Sequence, residues 1–141
     1  MKGDKIPVQD HVARLCHSKH IDNGLIQATA FMVRANEESL SVNWLELLHC
    51  LSRESEIREL RNIYSRKFDR VGVRAQIAVL NVGEVCKKVL TESPDRRNLE
   101  VLHDPEEDDL SHSGIHNLKY DDELIAELIL TTVRETYLAR K

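Results

Sequence analysis

Alternation of apolar and polar residues predicts three main β-strands in this chain. Residues 25–34 repeat with a period of two, residues 71–82 alternate and then become continuously apolar, and residues 99–104 alternate again. A period of two is typical of a strand with one buried face, whereas a continuous apolar run is typical of an interior strand. The short apolar segment 40–42 would extend the first strand or pair with it.

Apolar residues at spacings of three and four predict four helices. Asn43 stands directly before the first of these stripes and belongs to the residue types that cap helices. The last stripe follows Asp121 and Asp122, acidic residues suited to a helix amino terminus. The four predicted helices cover residues 44–51, 54–68, 84–90 and about 122–141.

Together these elements predict a single domain over residues 1–141. We expect it to belong to the α+β class, with α/β as the alternative, and to pack a small sheet of three to five strands against about four helices. A chain of 141 residues of which 41% are apolar suits one hydrophobic core.

The sequence also predicts where the protein resides. No apolar run reaches the roughly 20 residues of a membrane-spanning helix, and the first ten residues lack the apolar stretch of a secretory signal. The cysteines Cys16, Cys50 and Cys86 are spaced too widely for a zinc ribbon or a Cys-x-x-Cys motif. We therefore expect reduced thiols and a cytoplasmic location.

Charge is distributed unevenly along the chain. The net charge is −4, but residues 92–123 contain eleven acidic and three basic side chains and so carry −8. The rest of the chain is only weakly basic, and only six residues are aromatic. Nucleic-acid binding needs a basic surface or aromatic stacking. We therefore expect neither nucleic acid nor a membrane as a partner.

The acidic run continues into histidines and serines, and we expect an acidic loop around residues 104–117. Its first part, "DPEEDD", favours a solvated connector, whereas "SHSGI" favours an ordered turn. Alternatively, His103 and His112 would supply, with Asp109 or else with Asp104 or Asp108, the two-histidine, one-carboxylate set that holds iron or zinc. A divalent metal is the cofactor that this interpretation requires, although the spacing does not match a His-Glu-x-x-His motif.

A hydrolase would use the same stretch differently. Ser111 or Ser113 would be the nucleophile, with His103 or His112 as the base. The Gly-x-Ser-x-Gly sequence that exposes a strained serine is missing. Either histidine would also suit general acid-base catalysis, because an unperturbed imidazole titrates near neutral pH.

A second polar cluster lies near the amino terminus. There His11 and Arg14 would bind a phosphate or a carboxylate, because arginine can hold such groups with two parallel hydrogen bonds. The alternative for these two residues is a solvated edge strand or helix. If the cluster met the acidic loop in space, the two would form one pocket.

Three stretches, "SLSVNWLELL", "AVLNVG" and "HDPEEDDLSHSGI", resemble a family of small uncharacterised bacterial proteins. The resemblance implies a bacterial, cytoplasmic protein and brings no known activity with it. The residues that it marks as unusual are His103, Asp104, Ser111, His112, Ser113 and Gly114.

Two functions from different classes follow. The first is an interaction module in which the acidic loop and the apolar side of the carboxy-terminal helix bind a protein partner or a second copy of the chain. The alternative is a small enzyme or ligand-binding domain for a phosphate- or nucleotide-like ligand. There His103 and His112 would act as acid, base or metal ligands, with Arg14 as the anion clamp.

Overall fold

The computed structural model describes residues 2–140, which form two antiparallel sheets and three α-helices. The large sheet contains β1 (His11–Cys16), β4 (Ser39–Trp44), β5 (Gln76–Asn81), β6 (Glu100–His103), β7 (His112–His116) and β8 (Glu135–Leu138), in the order β6-β7-β4-β1-β5-β8. The small sheet pairs β2 (Ile21–Asp22) with β3 (Leu25–Ile26). The α-helices are α1 (Arg53–Lys67), α2 (Val82–Glu92) and α3 (Glu123–Thr131), and short 3-10 helices cover Ser18–His20, Ala28–Phe31 and Glu46–Leu48.

The expected sheet of three to five strands with about four helices is wrong, because the described residues form eight strands and three α-helices. The parallel sheet of the α/β alternative is also wrong, since all pairings of the large sheet are antiparallel. One missed strand is β8, which lies in the tail of the last predicted helix. The β-branched run at residues 131–133 disfavours further helix, and "ETYL" suits a strand.

Two other predicted elements are largely replaced by 3-10 turns. Of residues 25–34, only the first two form a strand, β3, and Ala28–Phe31 form a 3-10 helix. Of residues 44–51, the first is the last residue of β4, and Glu46–Leu48 form a 3-10 helix. Short turns of this kind also bury closely spaced apolar side chains, so their sequences resemble those of longer elements.

Each face of the large sheet carries its own hydrophobic core. Helix α1 packs on one face, and α2, α3 and the 3-10 helix Ala28–Phe31 pack on the other. Alternation within β1 serves both cores, because Ala13 and Leu15 join the α1 side whereas Val12 and Cys16 join the opposite side. The chain therefore has three layers, with the sheet in the middle.

Local capping explains where α1 and α2 begin. The Ser52 hydroxyl accepts a hydrogen bond from the Ser55 backbone N–H at 3.1 Å, and Asn81 Oδ1 accepts one from the Glu84 N–H at 2.8 Å. The last turn of α1 contains Arg66 and Lys67, which suit the negative end of the helix dipole. Within residues 2–140, none of the helices has both the length and the apolar character that crossing a membrane requires.

Strands β6 and β7 form a hairpin at one side of the sheet. The outer edge of β6 is covered by the amino-terminal segment, whose Ile6 N–H donates to Val101 O at 3.0 Å. Such a cover protects an edge strand from pairing with other chains. Residues 104–111 connect the two strands, so the carboxy-terminal part of the expected loop, His112–His116, forms strand β7.

Candidate functional site

The connection between β6 and β7, residues 104–111, contains the acidic run and is called the acidic loop below. A tight turn closes it, because Glu106 and Asp109 exchange backbone hydrogen bonds of 3.0 and 3.1 Å. Glu107 and Asp108 at the tip of this turn are exposed, whereas Asp109 is buried. The loop therefore sends one carboxylate inward and presents two to solvent.

Asp109 is the centre of a buried polar network. Its carboxylate accepts hydrogen bonds of 2.8 Å from Asn43 Nδ2 and from the Ser111 hydroxyl, and Lys67 Nζ lies 3.2 Å away. The Tyr64 hydroxyl donates to Asn43 Oδ1 at 2.8 Å. Because Asn43 belongs to β4 and Tyr64 and Lys67 belong to α1, the network fastens the loop to two other elements.

Charge stabilises the same network. Burial alone would raise the pKa of Asp109, but hydrogen bonds from Ser111, Asn43 and Lys67 outweigh it and hold the pKa below its ordinary value. Burial would lower the pKa of Lys67, but Glu106 and Asp109 raise it. Burial raises the pKa of Tyr64, and the charge of Asp109 adds to that effect. At neutral pH the loop is thus held by an ionised pair and a neutral phenol.

His103 and His112 lie on opposite faces of the sheet. His103 pairs in register with Ser113 of β7, so these two side chains lie on the same face of the sheet. His112 precedes Ser113 in β7 and therefore points to the opposite face, away from His103. The rings of His103 and Trp44 pack edge-on with their centroids 5.1 Å apart. The Nε2 atom of His112 instead lies 3.2 Å from the Ser41 hydroxyl. The structure therefore does not bring together the predicted metal set of His103, Asp109 and His112.

Both imidazoles are engaged by main-chain carbonyls. His103 Nε2 lies 2.8 Å from Leu110 O and His112 Nδ1 lies 2.9 Å from Asp104 O, and because a carbonyl only accepts, both nitrogens must carry protons. Across residues 2–140, no three histidine, cysteine or carboxylate side chains are grouped in a way that would hold a metal ion.

The two serines proposed as nucleophiles are buried and donate elsewhere. The Ser111 hydroxyl donates to Asp109, and the Ser113 hydroxyl donates to Ser111 O at 3.1 Å. Within residues 2–140, neither serine hydroxyl makes a hydrogen bond to a histidine. Gly114 follows them inside β7, where a Cβ would lie 2.5 Å from Ser39 Oγ, so glycine permits this close approach of two strands.

The predicted anion clamp of His11 and Arg14 is also separated. The two residues are three positions apart in β1, so their side chains lie on opposite faces. His11 Nδ1 lies 2.7 Å from Glu46 Oε2. Arg14 donates through Nε to Ala30 O at 3.0 Å and through Nη1 to Ser41 O at 2.9 Å, a role that joins neighbouring segments.

Burial is expected to make the Cys16 thiol unreactive. It is fully buried, and burial raises the pKa of its thiol to about 12, with Arg14 opposing the shift only in part. We expect iodoacetamide at about pH 8 to label native Cys16 far more slowly than half-buried Cys50, because only the thiolate reacts. Mass spectrometry of the labelled peptides measures the two rates, and urea should remove the difference. Equal rates in the native protein would contradict the burial of Cys16.

A surface groove lies between the acidic loop and one side of α1, and we call it the loop groove. Its volume is about 370 Å³. Its apolar lining comes from the segment before α1, from α1 itself and from the loop, and its charged lining is mainly acidic. The apolar residues are Leu47, Leu48, Cys50, Ile63 and Leu110, and the charged residues with exposed or half-buried side chains are Glu59, Arg66, Glu107 and Asp108.

Asn43, Tyr64 and Lys67 are the important residues that the sequence did not identify. Asn43 resembles a helix cap because apolar residues follow it, but it lies inside β4 and is buried. The available signal was a polar residue within the alternating sequence "LSVNW". Tyr64 and Lys67 carry no local signal, because their partners lie 21 and 42 residues away in the chain.

Comparisons of the chain with protein-family models, with curated proteins and with solved structures return no match. The resemblance to small bacterial proteins stays a prediction, and the chemistry of the site rests on its own residues.

Proposed function

We propose that this protein is a non-enzymatic interaction module that binds a protein partner in the loop groove. The partner segment would combine apolar side chains with lysine or arginine. The observation that carries the proposal is an apolar groove with an acidic border, held in place by the buried network around Asp109.

Apolar exposure at the loop supports a docking role. Leu110 is 67% exposed although its neighbours Asp109 and Ser111 are buried, and Leu51 beside the groove residue Cys50 is fully exposed. Leu110 lines the groove together with Leu47 and Leu48, and clustered apolar surface, unlike scattered single side chains, marks interaction sites. Because the loop is already ordered, binding would cost little conformational entropy.

Charge selects the kind of partner. Among the described residues that line the groove, Glu59, Glu107 and Asp108 are free to face a ligand, and Arg66 is the one cation. A basic segment would be attracted to this border, and complementary charge mainly favours association rate and specificity. The three free cysteines accord with a role in the cytoplasm.

The other predicted features have less support as binding elements. The apolar side of α3 is packed inside the protein through Ile125, Ala126 and Ile129. For the enzyme alternative, the candidate nucleophiles and bases within residues 2–140 are engaged in structural hydrogen bonds.

A synthetic amphipathic peptide of leucine and lysine tests the proposal, with a leucine-glutamate peptide as the matched probe. By fluorescence anisotropy, we expect the lysine peptide to bind and the glutamate peptide not to bind. The double variant Glu107→Lys/Asp108→Lys should weaken binding about tenfold or more, and raising the salt from about 50 to about 500 mM should also weaken it.

The control variant is Glu123→Lys/Glu127→Lys, which changes the charge equally on α3, away from the groove. Equal loss in both double variants would show nonspecific charge attraction and overturn the proposal. Light scattering gives a second test. A dimer that the loop variant abolishes would identify a second copy, rather than a separate protein, as the occupant.

A further inference from the structure

A second groove lies on the other side of α1, next to the end of the large sheet, and we call it the arginine groove. Positions 58, 61 and 65 of α1 face it, whereas positions 59, 63 and 66 face the loop groove. The volume of the arginine groove is about 350 Å³, within the range of small-ligand sites. The helix thus separates an acidic groove from a basic one.

Three guanidinium groups, those of Arg58, Arg61 and Arg140, line the arginine groove. Within residues 2–140, its lining contains no carboxylate. Arg58 has a long contact of 3.8 Å with Glu54, but both side chains are well exposed and such pairs are weak. The groove therefore has a local charge of about +3 that no lining group neutralises.

Two of these arginines are held by the backbone. Arg61 Nε donates to Leu138 O at 3.0 Å, and Arg140 Nη1 donates to Val71 O at 3.1 Å. A guanidinium has five N–H donors, so each of these side chains keeps several donors for a ligand. Anchoring of this kind reduces the entropy that the side chains would lose on binding.

We propose that the arginine groove binds the phosphate group of a phosphomonoester. Arginines that approach from different elements suit the three terminal oxygens of a phosphate, whereas a carboxylate has two oxygens and is satisfied by one guanidinium. Half-buried Val71 adds apolar surface beside the arginines, so the group esterified to the phosphate would be apolar or aromatic. This site is separate from the proposed function, since none of its lining residues belongs to the loop groove.

Phenyl phosphate, inorganic phosphate and benzoate are the probes, and isothermal titration calorimetry at about pH 8, where a phosphomonoester is dianionic, measures their affinities. We expect phenyl phosphate to bind most tightly, since it offers both the phosphate and the ring. The single variant Arg58→Gln should weaken its binding about fivefold or more and the double variant Arg61→Gln/Arg140→Gln about tenfold or more. Within residues 2–140, Arg58 makes no hydrogen bond to the rest of the protein. Arg58→Gln therefore tests ligand binding without disturbing the folded structure.

The matched control is Lys19→Gln/Arg74→Gln, which removes two exposed cations outside the groove. It should leave phenyl phosphate binding unchanged, as should the loop variant Glu107→Lys/Asp108→Lys. Unchanged binding in both groove variants, equal loss in the control, or benzoate binding as tightly as phenyl phosphate would overturn the proposal. Failure of the lysine peptide to bind the loop groove would not affect this result.

Discussion

Asp109→Ala will lower the free energy of unfolding by about 3 kcal/mol, because it leaves buried hydrogen-bond donors and a cation without their acceptor. Asn43 Nδ2 would keep only the Ser111 hydroxyl, and Lys67 would keep only Glu106. Urea unfolding followed by circular dichroism measures the change. The loop should also become more mobile, since this carboxylate is one of its links to β4 and to α1.

Asp108→Ala is the matched control, because that neighbouring carboxylate is exposed and lies outside the network. We expect its unfolding free energy to stay within about 0.5 kcal/mol of the parent protein, as for most surface substitutions. Similar values for the two variants would show that Asp109 does not fasten the loop.

Ionisation of Asp109 makes the free energy of unfolding depend on pH, and Asp109→Asn should remove this contribution. The pKa of Asp109 lies below its ordinary value of 3.8 in the folded protein, so the unfolded chain takes up its proton first as the pH falls. The stabilisation is therefore complete above about pH 5 and is lost as the pH falls through 3.8 towards the folded pKa. Unfolding free energies between about pH 5 and pH 3 should fall less steeply in Asp109→Asn than in the parent protein.

Parts of the fold that depend on local pattern could be predicted from the sequence. The helix expected over residues 54–68 corresponds to α1 (Arg53–Lys67), and the one over residues 84–90 lies inside α2 (Val82–Glu92). An apolar stripe at helical spacing is a local property that these sequences already contain. The interior strand β5 likewise carries its own signal, a continuous apolar run.

The remaining strands depend on partners distant in the chain. The central strand β1 pairs with β4 and β5, and its His11 and Arg14 made its sequence resemble a polar cluster. Strand β8 pairs with β5 from a segment that continues the pattern of a helix. No local window contains the information that these segments meet.

Strand register also explains why the candidate chemistry was not assembled. His103 and His112 are close in sequence, and the sequence cannot show that the hairpin places them on opposite faces. A shift of one residue in the pairing would reverse the face of every side chain in a strand. The prediction of a solvated acidic run holds for Glu107 and Asp108, whereas Asp109 is buried by donors from β4 and α1.

Ile115→Ala will lower the free energy of unfolding by about 3 to 4 kcal/mol, within the range of about 2 to 5 kcal/mol for truncating a large buried aliphatic side chain to alanine. Ile115 is fully buried in β7, between its register partners Leu40 of β4 and Val101 of β6. Strands packed on both sides leave little freedom for the surroundings to close the cavity. The midpoint of urea unfolding, at an unchanged slope, measures the loss.

Leu110→Ala is the counterpart from the same short stretch, and it separates stability from recognition. Because Leu110 is 67% exposed, its removal should change the free energy of unfolding by less than about 0.5 kcal/mol. The same substitution removes apolar surface from the loop groove, so the leucine-lysine peptide should bind at least about fivefold more weakly. A stability loss as large as that of Ile115→Ala would mean that Leu110 belongs to the core. Unchanged peptide binding would remove the loop from the proposed interface, whereas the expected pair of results assigns one leucine to the partner and one isoleucine to the fold.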